Sequence, residues 1–266
     1  ALGSGPLDHV WPFDVPSEYA YDPAKVEVTA GVARLRGAVT PVAGSSSNPG
    51  FSTGIAGWSF SRWGPNVGQD GRWRNSGGDP GGYAQIRMPN RRNRLAGGFF
   101  QQPFTVTATS LTAAAVSASW RVERSTRRPD SLRVLLFVDA RPGAPVLGTA
   151  VWSSGNIPGQ TAWAASGAID VRPRLPAPGT YYLKLAVWVD YPGRNGQYWI
   201  GFDNAQLAWS GTTTSYPSDR PSVATNVSFT PANLQTWQSF SEVAAKDGGE
   251  IYYQLLQYND DIHYLY

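Results

Sequence analysis

Cysteine is absent from this chain of 266 residues, and histidine is nearly so, with two residues. Without cysteine the chain can form neither disulfide bonds nor thiolate metal sites, so its stability has to come mainly from packing. The two histidines, His9 and His263, lie near the ends of the chain. No Ser/His/Asp arrangement and no cluster of metal ligands accompanies them, so we expect no enzymatic activity and no catalytic residues.

Long hydrophobic runs are also lacking. No apolar run approaches the roughly 18 residues that a membrane-spanning helix needs. No charged segment followed by an apolar one opens the chain as a signal peptide would. We therefore expect a soluble chain without a membrane span, from which any export signal has been removed.

Strong net charge is missing as well. The 22 basic and 19 acidic side chains leave a formal charge of +3 and a pI near 9.2. This is well short of the concentrated basic surface of a nucleic-acid-binding protein, so we expect no nucleic-acid partner. Only three of the basic residues are lysines, Lys25, Lys184 and Lys246, and the excess of arginine, alanine, glycine and proline is typical of a GC-rich bacterial genome.

Glycine and proline are abundant, with 29 and 21 residues, which argues against a helix-rich fold and predicts frequent turns. Between the turns, apolar and polar residues alternate with the period of half-buried strands. We therefore expect an all-β protein. The residues predicted to face its core are Ala84, Ile86 and Met88, then Ala118, Trp120 and Val122, then Leu132, Val134, Leu136 and Val138, and finally Leu183, Leu185, Val187 and Val189.

The sequence predicts one central β-sandwich over residues 43–211, with shorter β-rich flanks. Residues 25–36 are predicted as a β-hairpin, followed by a Ser/Gly/Pro linker over 37–47. A polar linker after Trp209 places the other boundary near residue 212. Four more strand-like segments follow it, over 222–229, 237–244, 250–258 and 262–266.

The two flanks, 8–42 and 212–266, are each too short to bury much apolar surface alone. One interpretation is that they pair into a second, incomplete β domain with the sandwich inserted between its halves, since domain termini often lie close together. The alternative is that the flanks are separate or mutually disordered.

Two motifs about 150 residues apart bracket the central segment. Residues 48–52, Asn-Pro-Gly-Phe-Ser, lead to Gly57 and Trp58, and residues 203–207 read Asp-Asn-Ala-Gln-Leu. With these motifs the segment resembles the jelly-roll carbohydrate-binding modules of families four, nine and 22, which have a galactose-binding-like β-sandwich. The resemblance implies a jelly-roll sandwich for about two thirds of the chain.

In modules of this kind the opening loop and the closing Asp commonly hold a structural calcium ion. The resemblance therefore implies a Ca²⁺ site at Asp203, with backbone oxygens around Asn48 and Gly50. Ser52 stands where the family motif usually has Glu, which removes one carboxylate from such a site. The alternative is that Asp203 only accepts hydrogen bonds from backbone amides in a turn.

Sugar recognition would depend on aromatic rings packed against sugar C–H faces, with polar side chains binding the hydroxyl groups. Trp58 and Trp120 are predicted to be structural. The predicted ligand-binding residues, expected to line one concave sheet, are Tyr83, Gln85, Arg87, Arg121, Tyr182, Lys184 and Trp188 from strands and Trp63 and Trp73 from an open loop. The alternative is that these aromatic residues pack against a flanking domain.

The sequence thus favours a non-catalytic domain of an exported bacterial protein, extracellular or on the cell surface, whose partner is a polysaccharide or surface glycan. A second hypothesis is a structural subunit of an adhesin, surface layer or filament, in which other copies of the chain or neighbouring domains cover the exposed strands.

Overall fold

The computed structural model describes residues 13–64, 68–88, 96–125, 131–190, 197–219, 221–225, 256–259 and 262–265. Three 3-10 helices lie within these ranges, at Pro16–Glu18, Leu147–Thr149 and Arg172–Arg174. No helix within the same ranges is both long enough and apolar enough to span a membrane.

The remaining regular structure is β. The strands are β1 (Tyr19–Tyr21), β2 (Val26–Thr29), β3 (Val32–Leu35), β4 (Ala38–Ser45), β5 (Ser59–Trp63), β6 (Asp70–Gly78), β7 (Gly81–Met88), β8 (Ala96–Val106), β9 (Ser110–Ser125), β10 (Ser131–Asp139), β11 (Trp152–Ser153), β12 (Ala164–Ala165), β13 (Ile169–Asp170), β14 (Gly179–Asp190), β15 (Tyr198–Ser215), β16 (Val223–Thr225), β17 (Leu256–Asn259) and β18 (Ile262–Leu265).

The chain divides into two compact units. The larger comprises Asp22–Glu27 and Arg34–Pro221, and the smaller comprises Ala1–Tyr21, Val28–Ala33 and Ser222–Tyr266.

The larger unit is a jelly-roll sandwich of two antiparallel sheets, which confirms the predicted fold class. One sheet has five strands in the order β11-β10-β14-β8-β5. The other has seven strands, with β12-β9-β15-β7-β6 in order, β13 beside β9, and β4 beside the second half of β15. Apart from the pairs β6-β7 and β10-β11, neighbouring strands in both sheets are distant in sequence, so their register depends on contacts across the domain.

The main core fills the space between the two sheets. Large side chains such as Phe51, Phe100 and Phe202 are fully buried there, and Trp58 packs beside Phe51 with ring centroids 5.3 Å apart. The inward residues predicted from alternation belong to this core; Trp120, which is partly buried, packs against it. Alternation predicted them because the residues that point into the core occupy every second position of a strand.

A second, smaller hydrophobic cluster covers the outer face of the five-stranded sheet. The cluster contains Trp63, Phe99, Phe137 and Trp188. Leu147, from the loop after β10, packs against it. Both faces of this sheet are therefore apolar along much of its length, as in strands that are covered on two sides.

Residues 38–45, for which the sequence predicts a linker, instead form β4. This strand pairs antiparallel with Ala208–Ser215 of β15 in continuous register. Its Ser, Gly and Pro content favours a linker by composition, but the amides and carbonyls at the end of β15 need partners, and β4 supplies them.

The smaller unit contains a short pairing between distant segments. Tyr19–Tyr21 pairs antiparallel with Val223–Thr225, and β17 forms a hairpin with β18.

The predicted hairpin over 25–36 is present as β2 and β3, joined through Ala30 and Gly31, which both have positive φ. The predicted domain made of both flanks, with the sandwich inserted between its halves, stays a prediction.

The predicted strands after residue 221 are described only in part. Strands β16, β17 and β18 lie within the predicted segments 222–229, 250–258 and 262–266 or overlap them. The predicted strand over 237–244 and residue His9 lie outside the described residues.

Candidate functional site

The candidate site lies on the outer face of the seven-stranded sheet, the face turned away from the main core. Strands β6, β7, β15 and β9 lie side by side there, and side chains of paired residues form rows across them. The first row is Asp70, Arg87, Trp199 and Arg124, the second is Arg72, Gln85, Gly201 and Arg121, and the third begins with Arg74 and Tyr83.

Arg121 is the centre of an aromatic cluster on this outer face. Its guanidinium carbon lies 4.9 Å from the centroid of the Tyr83 ring and 4.7 Å from that of the Trp163 ring. The two rings meet edge to face, with centroids 5.7 Å apart. The Trp163 indole also donates a hydrogen bond to the Gly77 carbonyl at 3.2 Å. These contacts fix the orientation of Trp163, which comes from irregular chain just before β12.

Glu123 is the carboxylate of the cluster. Its Oε2 accepts a hydrogen bond from the Gln85 amide at 2.8 Å, and its Oε1 lies 3.7 Å from Arg121 Nε. The second distance is an ion-pair contact, too long for a hydrogen bond. Burial is the main cause that raises the pKa of Tyr83, and hydrogen bonding to Glu123 adds to it. The Tyr83 hydroxyl therefore stays protonated at neutral pH and can donate or accept a hydrogen bond.

Gly201 creates space at the middle of the outer face. A Cβ at this position would come within 3.0 Å of Glu123 Oε1 and 3.1 Å of both Trp163 and Tyr83. Any larger residue at position 201 would displace these surrounding groups. The side chains of the cluster can therefore pack over the backbone of β15 because residue 201 has no side chain.

Trp199 is the third aromatic residue of the outer face. The guanidinium carbons of Arg87 and Arg124 lie 5.7 Å and 5.1 Å from its ring centroid. Trp199 pairs in register with both arginines, so the three side chains leave the sheet on the same side.

Several buried polar atoms of this face have no hydrogen-bond partner. They are Arg87 Nε, Arg121 Nε, Glu123 Oε1 and Trp199 Nε1. Buried polar atoms are paired in the great majority of cases, and an unpaired one costs about 1–3 kcal/mol. Their concentration on one face indicates a surface suited to polar partners such as water or a hydroxylated ligand.

The structure brings together four of the residues predicted to bind a ligand: Tyr83, Gln85, Arg87 and Arg121. It places the others elsewhere. Because β14 and β5 belong to the five-stranded sheet, Lys184, Trp188 and Trp63 are on the opposite side of the sandwich, and the prediction that all these residues line one sheet is wrong.

Trp63 and Trp188 are only 8% exposed, and their ring centroids are 4.5 Å apart in the smaller hydrophobic cluster. Lys184 is 1% exposed; its Nζ donates hydrogen bonds to Asp139 Oδ2 at 2.8 Å and to the Arg141 carbonyl at 3.0 Å. Alternation along β14 predicted that Lys184 and Trp188 belong to a polar face. A local pattern of this kind does not show that a loop covers the strand. Tyr182 is half-buried and lies on the same strand.

Trp73 also lies away from the aromatic cluster. It is in β6 rather than in an open loop, opposite Ala84 in register, and its indole donates a hydrogen bond to the Phe51 carbonyl at 2.7 Å. Ala84 faces the main core, so Trp73 is on the inner side of its strand at the edge of the sheet. The residue is 37% exposed.

Sequence reasoning missed Trp163, Trp199 and the role of Glu123. Trp199 could have been found, since Tyr198, Ile200 and Phe202 alternate inward and leave Trp199 pointing out. Trp163 gave no such signal, because it lies in irregular chain where no strand period applies.

The residues predicted to hold calcium meet where the two bracketing motifs approach each other. Asp203 is fully buried; its Oδ1 accepts the Asn204 amide at 2.8 Å and its Oδ2 accepts the Asp79 amide at 2.5 Å. Gly50 is close, since a Cβ there would lie 3.9 Å from Asp203 Oδ1. Burial raises the pKa of Asp203 and outweighs these two hydrogen bonds, which lower it.

This donor set fits a cation poorly. Both Asp203 oxygens already accept amide hydrogens, and Asn48 directs its amide nitrogen to the carbonyls of Gly54 and Ala56 at 2.9 and 3.2 Å. The Asn48 carbonyl in turn accepts the Trp58 indole N–H at 3.3 Å. Among the residues that the structure describes, no group of three or more His, Cys, Asp or Glu side chains is placed to hold a metal. The calcium site that the resemblance implies stays a prediction.

A scan against protein-family models gives no match. A search among curated proteins also finds no similar sequence.

Solved structures with a similar chain course include several sugar-binding modules. The carbohydrate-binding module TmCBM61, in complex with β-1,4-galactotriose, aligns with 63% of this chain and 97% of its own at 16% identity and a TM-score of 0.37. The mannan-recognising module TmCBM27 aligns with 64% of this chain and 98% of its own, at 13% identity and a TM-score of 0.38. The K1 cleaved adhesin domain of Lys-gingipain from Porphyromonas gingivalis W83 aligns with 64% of this chain and 97% of its own, at 13% identity and a TM-score of 0.38.

Proposed function

We propose that this chain is a non-catalytic glycan-binding domain and that the outer face of the seven-stranded sheet binds the sugar. The observation that carries the proposal is the pair of Tyr83 and Trp163 over Gly201, with Trp199 on the same face, all in contact with arginines and bordered by unpaired polar atoms. Aromatic rings next to hydrogen-bonding groups suit sugars, which have apolar C–H faces and a rim of hydroxyl groups.

Binding without catalysis is favoured by where the carboxylates lie. Hydrolysis of a glycosidic bond normally needs two carboxyl groups about 5 to 10 Å apart. Glu123 is in the seven-stranded sheet, whereas Asp139 is in the five-stranded sheet and accepts a hydrogen bond from Lys184. These two carboxylates therefore lie on different sheets. Of the two carboxylates near the proposed site, Glu123 is already engaged by Gln85, and Asp70 forms an ion pair with Arg72.

The setting that we propose is an exported bacterial protein, secreted or on the cell surface, since glycan ligands of this kind are met outside the cell. The second hypothesis, a structural subunit of an adhesin, layer or filament, depends on aromatic residues left for neighbouring copies. It loses part of its basis, because Trp63 and Trp188 are covered within the chain itself.

The proposal is tested by titrating a panel of polysaccharides against the wild-type protein, Trp163→Ala and Trp199→Ala in isothermal calorimetry. We expect both variants to lose about tenfold or more in affinity, which corresponds to about 1.4 kcal/mol. Trp73→Ala is the matched control, since it removes an exposed tryptophan away from the outer face.

Equal affinity of the Trp163 and Trp199 variants and the wild type would overturn the proposed site. If no polysaccharide binds and light scattering shows ordered polymers of the chain, the structural-subunit hypothesis replaces the proposed function.

A further inference from the structure

We infer that the ligand of the outer face is an acidic glycan, one that carries carboxylate or sulfate groups along its chain. The inference rests on the proposed function and narrows it to a class of ligand. It comes from the charges of this face, which is more strongly basic than the net charge of +3 for the whole chain suggests.

Basic residues dominate the outer face. The three rows across β6, β7, β15 and β9 contain five arginines but only two carboxylates next to them, those of Asp70 and Glu123. The arginines are Arg72, Arg74, Arg87, Arg121 and Arg124.

Both carboxylates are already compensated. Asp70 forms an ion pair with Arg72 and accepts its hydrogen bonds. Glu123 lies 3.7 Å from Arg121 and accepts the Gln85 amide.

Three arginines remain without a carboxylate partner among the described residues. Arg74 and Arg124 are exposed, and Arg87 is half-buried with its Nε unpaired. A buried Nε atom without an acceptor is costly, because this part of the charged group loses hydration without gaining a partner. An anionic ligand would supply that counter-charge.

The contacts of the aromatic rings also favour an acidic ligand. A neutral sugar stacks best on a bare ring face, but guanidinium groups already lie over the Trp199, Tyr83 and Trp163 rings. The contacts with these rings restrict the freedom of the arginine side chains. A planar guanidinium fixed in this way is prepared for two parallel hydrogen bonds to a carboxylate or sulfate.

The spacing of the free arginines suits a polymer rather than a single small anion. Neighbouring strands lie about 4.8 Å apart, so the backbones at Arg87 on β7 and Arg124 on β9 are roughly 10 Å apart, with Trp199 between them. Arg74 lies on β6 at the other end of the face, two rows away. Several charged groups of one extended chain could therefore bind at the same time.

Nucleic acid is the competing polyanion. Binding of single-stranded nucleic acid depends on bases stacked on open aromatic rings in a basic groove. The rings of this face carry guanidinium groups instead, which favours an acidic glycan.

The test compares acidic polysaccharides (alginate and polygalacturonate for carboxylates, carrageenan for sulfates) with neutral galactan and mannan and with a mixed-sequence single-stranded DNA. The proteins are the wild type, the double variant Arg87→Gln/Arg124→Gln, and the control Arg141→Gln/Arg174→Gln. The control removes the same charge from two exposed arginines away from these rows.

We expect an acidic polysaccharide to bind at least about tenfold tighter than neutral ones at about 0.15 M salt, and to weaken as salt is raised. The double variant should lose this preference, and the control should keep it. Comparison of the carboxylated and sulfated polymers then identifies the anionic group.

Equal affinity of the wild type for neutral and acidic polysaccharides would overturn the inference and leave the proposed function standing. Failure of every polysaccharide to bind the wild type would overturn both. DNA binding as tight as acidic-glycan binding, or equal losses in the double variant and the control, would also overturn the inference, because either result indicates non-specific attraction of polyanions.

Discussion

The Arg121 guanidinium lies over the Trp163 ring, 4.7 Å from its centroid, and this contact joins two parts of the chain more than 40 residues apart. Arg121 is fixed by β9, whereas Trp163 comes from irregular chain. Arg121 thus fixes the position of Trp163, which does not belong to a strand. The same guanidinium also contacts the Tyr83 ring.

Arg121→Lys should therefore weaken glycan binding although it keeps the charge. A lysine ammonium is compact and strongly hydrated, and it lacks the planar, delocalised group with which arginine contacts Tyr83 and Trp163. We expect an affinity loss of about tenfold, with a loss of about 0.5–2 kcal/mol in the free energy of unfolding from the cation–π contacts. Calorimetry and urea unfolding measure the two quantities; unchanged affinity would contradict the role given to Arg121.

Gly201→Val should disrupt the packing of side chains at the centre of the outer face. The new side chain would approach Glu123, Trp163 and Tyr83 at about 3 Å or less, so these groups would have to move. We expect lower affinity for the glycan together with a loss of about 1–3 kcal/mol in stability. Ala208→Val is the matched control, since Ala208 is exposed on the same strand. If Gly201→Val binds the glycan like the wild type, the side chains packed over Gly201 are not part of the site.

Trp188→Ala should reduce stability and leave glycan affinity unchanged, because Trp188 packs in the smaller hydrophobic cluster on the other sheet. We expect the free energy of unfolding to fall by about 3–5 kcal/mol. Trp188→Phe, which keeps much of the packing, provides a folded variant if the alanine variant unfolds. An affinity loss in the phenylalanine variant, measured on folded protein, would restore Trp188 as a ligand contact.

The stability contribution of Asp203 should increase towards acidic pH. Burial raises its pKa in the folded protein above the ordinary value of 3.8, so the native state binds the proton more tightly than the unfolded chain. Its contribution is then fully present below 3.8 and is lost as pH rises through the folded pKa. The measurement is the unfolding free energy of wild type minus that of Asp203→Asn, between neutral pH and about pH 3.5. A difference that shrinks on acidification would show that the hydrogen bonds of the carboxylate outweigh its burial.

Calcium should have little effect on the melting temperature, since the oxygens of Asp203 are occupied by backbone amides. The measurement is calorimetric melting in EDTA and in millimolar CaCl₂. A rise in melting temperature with Ca²⁺ that disappears in Asp203→Ala would establish the calcium site that the family resemblance implies. The rearrangement would then involve the amides of Asp79 and Asn204.

The sequence determined the class of fold and much of the core. Segments such as 116–122 alternate apolar and polar residues, which is the pattern of a strand with one face on a core. Alternation also placed Tyr83, Gln85 and Arg87 on one face of β7, since a strand's period of two depends on local geometry alone.

The tertiary structure decided which of these faces meets solvent. Trp188 and Arg87 both occupy the polar phase of their strands, yet one is covered by the loop after β10 and the other borders an exposed row of arginines. It also brought Trp163 beside Arg121. Contacts between segments distant in the chain depend on sheet order and on the covering loops, and no local period contains that information.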